Sequence, residues 1–348
     1  MDQIITEKEG KMLNSKRAGN QTVVFKQPPV ILAGYNVVGP KEGQGPLKDT
    51  FDMVLKDNYA DEKTWERTEM KMLETSMTKV AAKANIPLDS VNYNLAGDLL
   101  NQIISSSYAA RQIGLPFIGL YGACSTMALS MALGAMLIDG GFASKVLCSA
   151  SSHHETAERQ YRFPTEHGNQ RAMYAQWTVT GAGSILLADQ GEGPRITSAT
   201  LGRVLDYGET DTNHMGAAMA PAVADTILNH LQDLNRQPDD YDLIITGDLG
   251  TVGLQLLLEV LKRSGLQLSN NFSDCGTLIY SSKQDTHAGG SGCGCSAVVL
   301  TGYLLDKLKS RELKKVLFVG SGSLHSSVSS QQGESMPAIG HAVSIEMS

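Results

Sequence analysis

The chain has few cysteines for its length, no excess of positive charge, and no apolar segment at its N-terminus. Five cysteines (Cys124, Cys148, Cys275, Cys293 and Cys295) are spread over 348 residues, and none forms a CxxC pair. A disulfide framework and a dithiol redox motif are therefore excluded, and a reducing compartment is expected. The net charge of −7 argues against non-specific attraction to nucleic acid or to anionic lipid. An anionic ligand would need a local pocket of cations or backbone donors. The N-terminal stretch MDQIITEKEGKMLNSKR is polar and charged, so no signal peptide is expected and the protein is expected to be soluble. His153-His154 and Cys293/Cys295 lack a third ligand at metal-site spacing. The glycines of 43–45 and 289–294 fit neither a P-loop nor a dinucleotide fingerprint. No metal and no cofactor are expected.

What is present is a composition 42% hydrophobic and 19% charged, enough at this length for a sizeable core in one large domain or two. The most informative stretch is 115–141, LPFIGLYGACSTMALSMALGAMLIDGG. No charge occurs between Arg111 and Asp139, but Pro116, Gly119 and Gly122 divide the run into a strand-length piece and a helix-like piece. It reads as a buried strand-turn-helix unit rather than a membrane span. Cys124 lies in the turn. Ser125 and Thr126 are N-cap types, which places the thiol at a helix mouth, where backbone N–H groups and the helix dipole should lower its pKa from about 8.5. Ala128, Ser130, Ala132, Gly134 and Ala135 make the helix small on nearly every face, so it should be buried against close neighbours.

In chain order, 1–20 read as a lead-in, 64–84 and 102–113 as helices, and 91–96 as a short strand. The second half then repeats the first. Ala96-Gly97-Asp98-Leu99 answers Thr246-Gly247-Asp248-Leu249, and the strand opening Lys145-Val146-Leu147 answers Lys315-Val316-Leu317. The Cys124 turn answers the Gly290–Ala297 segment, and each half closes on a Gly/Ala/Ser-rich strand, 181–188 and 340–347. Alternating strands and helices in each half predict two mixed sheets with helices on their faces. A small-residue helix from each half packed between the sheets gives an α/β fold of five layers, α/β/α/β/α, with halves at 21–192 and 193–348.

That duplicated plan, with Gly122-Ala123-Cys124-Ser125-Thr126 at its turn, resembles thiolases and β-ketoacyl synthases. The resemblance implies a thiolase-like fold and a usual dimeric state. It also implies two further loops bearing His/His or His/Asn for an oxyanion hole and proton transfer. The first loop reads Gly247-Asp248-Leu249-Gly250 and has no histidine. The second, Thr286-His287-Ala288-Gly289-Gly290, keeps one. The C-terminal glycine loop, Gly320-Ser321-Gly322-Ser323, lacks the second cysteine of thiolases. One partner of three survives, which weakens a condensing activity.

More specific motifs go further: Ala96–Gln102, Leu137–Ala143, Thr156–Gln160, Ala217–Asp225 (AAMAPAVAD) and Ala288–Val298 (AGGSGCGCSAV). They resemble the thiolase-like stage V sporulation protein AD family of spore-forming bacteria. This resemblance implies a non-enzymatic role: binding dipicolinic acid (pyridine-2,6-dicarboxylate). Integral membrane proteins of the same operon would be the partners that load it, with calcium, into the developing spore. It implies a peripheral place at the inner forespore membrane and a homodimer, while the net charge of −7 gives the expectation of no nucleic acid partner. The stretch 153–171, HHETAERQYRFPTEHGNQR, holds three histidines and three arginines and follows a strand end where α/β pockets open; arginine forks suit carboxylates, although Glu155, Glu158 and Glu166 could instead pair with them. The candidate ligand-binding residues are Cys124, His153, Arg159, Arg162, Asp248 and His287, with no catalytic residue. The alternative is an acyl-CoA condensing enzyme or thioesterase using Cys124.

Overall fold

The computed structural model describes residues 16–161 and 171–347. Its main strands fall into two sets of five. The first set is β1 (Val30–Val38), β2 (Tyr93–Gly97), β3 (Phe117–Gly119), β4 (Lys145–Ser152) and β5 (Gly181–Ala188). The second is β6 (Arg195–Leu201), β7 (Leu243–Thr246), β8 (Phe272–Asp274), β9 (Lys315–Ser323) and β10 (Ala338–Glu346). The spatial order is β3-β2-β4-β5-β1 in one half-sheet and β8-β7-β9-β10-β6 in the other, so each strand of the second half occupies the place of its counterpart five labels earlier. Strand directions match as well: β2 is parallel to β3 and β4, and β5 runs antiparallel to β4 and β1. β7 is likewise parallel to β8 and β9, and β10 antiparallel to β9 and β6. The half-sheets meet at one antiparallel register pair, Val30 opposite Arg195.

The duplication extends to side chains that pin the strand entries. Asn92 Oδ1 accepts the Ser144 and Lys145 N–H groups at 2.9 and 3.0 Å. Asp242 Oδ2 accepts those of Lys314 and Lys315 at 2.7 and 2.8 Å.

The helices relevant to the site are α1 (Trp65–Lys83), α2 (Ile104–Ile113), α3 (Thr126–Asp139), α4 (His154–Tyr161), α5 (Met215–Leu234), α6 (Gly250–Arg263) and α7 (Cys293–Val299). The central strands are buried on both faces, and period-2 alternation sends successive residues to different cores. In β4, Val146, Cys148 and Ala150 face the middle layer while Leu147 joins an outer core with Met72, Leu73 and Met77 of α1. In β9, Val316 and Phe318 face the middle layer, and Leu317 and Val319 pack with Val223 and Ile227 of α5 and Leu257 of α6. The middle layer holds α3 and α7, whose Met127, Ala128, Met131, Ala132, Ala135, Ala297 and Val298 are buried between the half-sheets. The five-layer α/β/α/β/α fold is thus present.

Small residues let the middle helices approach the backbone. A Cβ on Gly320 of β9 would lie 2.9 Å from the Ala128 Cβ and 3.0 Å from the Ser125 backbone. A Cβ on Gly183 of β5 would lie 2.6 Å from the Ala297 carbonyl oxygen.

Three local expectations need correction. Arg17–Ala18 belongs to the sheet rather than a lead-in: it pairs antiparallel with Thr22–Val24 across a turn in which Gly19 takes φ +85°. Ser125 and Thr126 do not cap α3. Each turns its hydroxyl back as a donor, Ser125 to Gly122 O at 2.6 Å and Thr126 to Ala123 O at 2.6 Å, as short hydroxyl side chains readily do. The strand expected over 115–121 is limited to Phe117–Gly119, at the edge of its half-sheet.

Candidate functional site

Both central half-sheets deliver a turn to the same point in the middle of the molecule. From the first half comes the turn after β3, where Ala123 sits in the left-handed region at φ +47°, a conformation costing a non-glycine residue about 1–2 kcal/mol. Cys124 follows and is 6% exposed. From the second half comes Asp248, fully buried just after β7. Its carboxylate is surrounded by donors: the Ser321 hydroxyl at 2.7 Å, the Gly292 N–H at 2.8 Å and the Ser291 hydroxyl at 3.2 Å. The Cys124 thiol lies close enough for this carboxylate to act on it electrostatically. The Asp248 backbone is held too, its N–H donating to Ser321 Oγ at 3.0 Å and its carbonyl accepting from Gln176 Nε2 at 2.6 Å. Cys293, at the start of α7, donates its thiol to Ala123 O at 2.9 Å, locking the two halves across the turn.

The electrostatics run opposite to the helix-mouth expectation. Burial pushes the Cys124 thiol well above its usual pKa, and the neighbouring Asp248 carboxylate adds to the rise. The Gly292 N–H lowers it, but by less. A helix N-terminus favours a thiolate only where the site stays partly solvated or offers net positive charge, and here a buried acid from the other half occupies the position. Asp248 is itself raised by burial, against the pull of its donors. The arrangement is therefore a protonated thiol on a buried carboxyl. The donors around Asp248 are consumed by its own oxygens.

Above the thiol opens a cavity with about 650 Å³ of empty space, its mouth included, lined by Leu99, Ala123, Cys124, Ala157, Glu158, Tyr161, Gln176, Thr178, Thr212, Met215, Ser291, Ser323 and His325. The alternation of a short strand, Trp177–Thr178 paired with Gly290–Ser291, sends Gln176 and Thr178 to the cavity and Trp177 away from it. A more open chamber, lined by Asp98, Asn101, Gln102, Tyr121, Leu324 and Ser326 among others, shares Leu99, Ala123, Tyr161, Ser323 and His325 with the cavity. Tyr161 is fixed in this shared wall by its hydroxyl, which donates to Leu99 O at 2.7 Å, and by its ring, 5.4 Å from that of His325.

Of the six candidate residues, the structure brings Cys124 and Asp248 together and places three, His153, Arg159 and His287, elsewhere. His153 is fully buried away from the cavity, its Nε2 2.9 Å from Asn58 O and its Nδ1 3.1 Å from Glu155. Arg159 is 48% exposed, ion-paired with Glu66 and lying over the Trp65 ring. His287 does not line the cavity: its Nδ1 is 2.8 Å from Ala172 O and its Nε2 3.3 Å from Asp285. Arg162 lies outside the described residues. Among the described residues, Arg171, the last of the 153–171 stretch, stacks over Trp177 and donates to Asp285 O. Helix α4 thus turns its arginine outward and presents Glu158 and Tyr161 to the cavity. Sequence reasoning missed Tyr161, Gln176, Thr178 and His325. Only Ser321 and Ser323 carried a signal, as polar residues in the Gly-Ser-Gly-Ser end of a strand whose repeat partner closes on Ser151-Ser152.

Duplicated half-sheets, paired middle helices and a cysteine turn between them define a thiolase-like protein. Solved structures agree on the fold. 3-Oxoacyl-[acyl-carrier-protein] synthase III from Aquifex aeolicus is 12% identical at a TM-score of 0.56, covering 91% of this chain and 99% of its own. OleA from Xanthomonas campestris, solved with lauric acid and lauroyl-CoA, is 13% identical at 0.61, covering 92% and 99%. Human mitochondrial 3-ketoacyl-CoA thiolase in complex with CoA is 13% identical at 0.57, covering 93% and 99%. Within that fold the match is narrower. The family model of stage V sporulation protein AD matches residues 19–346, and stage V sporulation protein AD of Bacillus subtilis is 44% identical over 331 residues, 95% of this chain and 98% of the relative. The chain belongs to the stage V sporulation protein AD family.

Proposed function

We propose that this family member is a non-enzymatic binding protein that holds dipicolinic acid in the Cys124 cavity during its loading, with calcium, into the forespore. The observation that carries this reading is Asp248. It occupies the loop where the resemblance to thiolase-like enzymes implies the first histidine, and its carboxylate, held by three donors, acts on the Cys124 thiol beside it. A carboxylate so placed keeps the sulfur protonated and leaves no free donor at that point for an oxyanion, while the cavity above stays open to a small planar ligand. Cys124 then serves as floor and the wall groups as recognition.

The other parts of the reading follow from the family. The partners are integral membrane proteins of the same operon, the protein is a homodimer, and its place is peripheral at the inner forespore membrane. Among the described residues no helix is long and apolar enough to cross a membrane, so attachment would run through those partners. Of the recognition residues expected from sequence, Arg159 and His153 lie outside the cavity wall.

A second reading, acyl-CoA condensation or thioester hydrolysis at Cys124, is favoured by the acyl and CoA ligands of the structural neighbours. Titration calorimetry with dipicolinate, with and without calcium, separates the two when run on wild type and Cys124→Ala alongside thiol release from acetyl-CoA. Saturable binding that survives Cys124→Ala, with no thiol release, supports the binder. Absence of binding, with thiol release that vanishes in the variant, would replace it with the enzyme.

A further inference from the structure

An anion entering the cavity meets an unusual wall. Among the described residues neither chamber is lined by arginine or lysine, and the acids in or beneath them are Glu158, Asp98 and Asp248. Among the described residues, the one side chain lining both chambers that can become a cation is His325. It follows β9, and its Nδ1 is engaged with the Ser323 hydroxyl at 2.9 Å. No hydrogen-bond partner reaches Nε2 among the described residues.

We propose that His325 is the ligand-sensing residue of this site: it takes up one proton when a dicarboxylate dianion enters, and so provides a positive charge that the other described residues of the wall lack. The inference rests on the binding function proposed above and adds to it the residue that recognises charge.

The physics has two parts. Without ligand, burial holds His325 below its usual pKa of 6.5, so the ring is neutral at neutral pH and the empty cavity carries no buried cation. The groups that face it are Tyr161 and Glu158 from α4, Cys124 from the turn, Ser323 from β9, and Asp98 and Tyr121 across the outer chamber. Asp98 is satisfied by the Leu100 and Ser106 N–H groups at 2.8 and 2.7 Å, and burial raises the pKa values of Asp98 and Tyr161. An anion close to Nε2 favours the imidazolium and raises its pKa. Binding and protonation are then linked: affinity is greatest at low pH and weakens as pH rises through the pKa of the complex.

Calorimetry of dipicolinate binding at pH 7.5, in two buffers of different ionisation enthalpy, counts the protons taken up. The comparison is wild type against His325→Asn, whose amide keeps a partner for Ser323. The expected result is up to one proton per ligand in wild type and none in the variant. The wild-type Kd should rise by up to about tenfold per pH unit between pH 7 and 8.5, whereas the variant's Kd is weaker and flat. Added calcium, which neutralises the ligand, should abolish the uptake. Binding with no proton uptake, or with equal uptake in the variant, overturns the role of His325 and leaves the binding function standing. Absence of binding in folded wild type overturns both.

Discussion

Glu69 provides the sharpest test of how this protein stores charge. Its carboxyl lies under the site in α1, 1% exposed, accepting the Ser151 hydroxyl at 3.1 Å and the Thr156 hydroxyl at 2.9 Å. Its partners are hydroxyls, and the charged neighbour acting on it is a second buried acid, Asp98. Burial first, and then Asp98, raise the pKa of Glu69 from 4.5 to about 8. A raised acid pKa means that the folded state holds a proton which the unfolded chain has released. The stabilising contribution is complete below about pH 4.5 and is lost as pH rises through about 8. At 1.36 kcal/mol per pH unit, that interval is worth on the order of 5 kcal/mol. Glu69→Gln keeps the shape, replaces the proton with an amide hydrogen, and removes the titration. Urea unfolding from pH 5 to 9 should show the variant gaining on wild type by up to about 1.4 kcal/mol per pH unit, reaching several kcal/mol by pH 9. Parallel profiles for the two proteins would refute the claim that Glu69 is held protonated by its surroundings.

The same logic governs the thiol and the packing around it. Native Cys124 should react with iodoacetamide at pH 8 more than tenfold slower than the same residue in unfolded chain, because only the thiolate attacks. Asp248→Asn should raise that rate severalfold by removing the negative charge beside it, and equal rates in the two proteins would show that Asp248 does not control the sulfur. Gly320→Val places carbon atoms against Ala128 and the Ser125 backbone. It should lower the unfolding free energy by about 1–3 kcal/mol, visible as a lower thermal midpoint, whereas an unchanged midpoint would deny the close contact between β9 and the start of α3.

The parts legible in sequence were those determined by repetition and by two-sided burial. Lys145-Val146-Leu147 and Lys315-Val316-Leu317 share a motif because each enters an interior strand whose alternate residues feed two cores. The small residues of 126–139 were readable as a buried helix because no other environment tolerates so little polar surface. The site was less legible, since its chemistry is set by what the two halves bring together. The rule that a helix mouth lowers a thiol pKa was outweighed by burial and then by Asp248, which arrives from the opposite half-sheet. The arginines of 153–171 pointed to an anion, yet Arg159 turns to Glu66 at the surface while Tyr161, with no charge to mark it, lines the cavity. His325 carried no local signal: it matters through its place between two chambers, which follows from the end of β9 and the packing of α4.

The central claim is that the space above Cys124 is a binding cavity for a small dicarboxylate and no reaction chamber. Ala157, buried in the cavity wall, offers the most direct measurement: dipicolinate titration of wild type and of Ala157→Trp, which fills the space without touching Cys124 chemistry, with circular dichroism confirming that both are folded. The account predicts saturable binding by wild type and its loss in the filled variant. Equal binding by both would place the ligand elsewhere, and a wild type that ignores dipicolinate but accumulates an acyl group on Cys124 from acetyl-CoA would contradict the account outright.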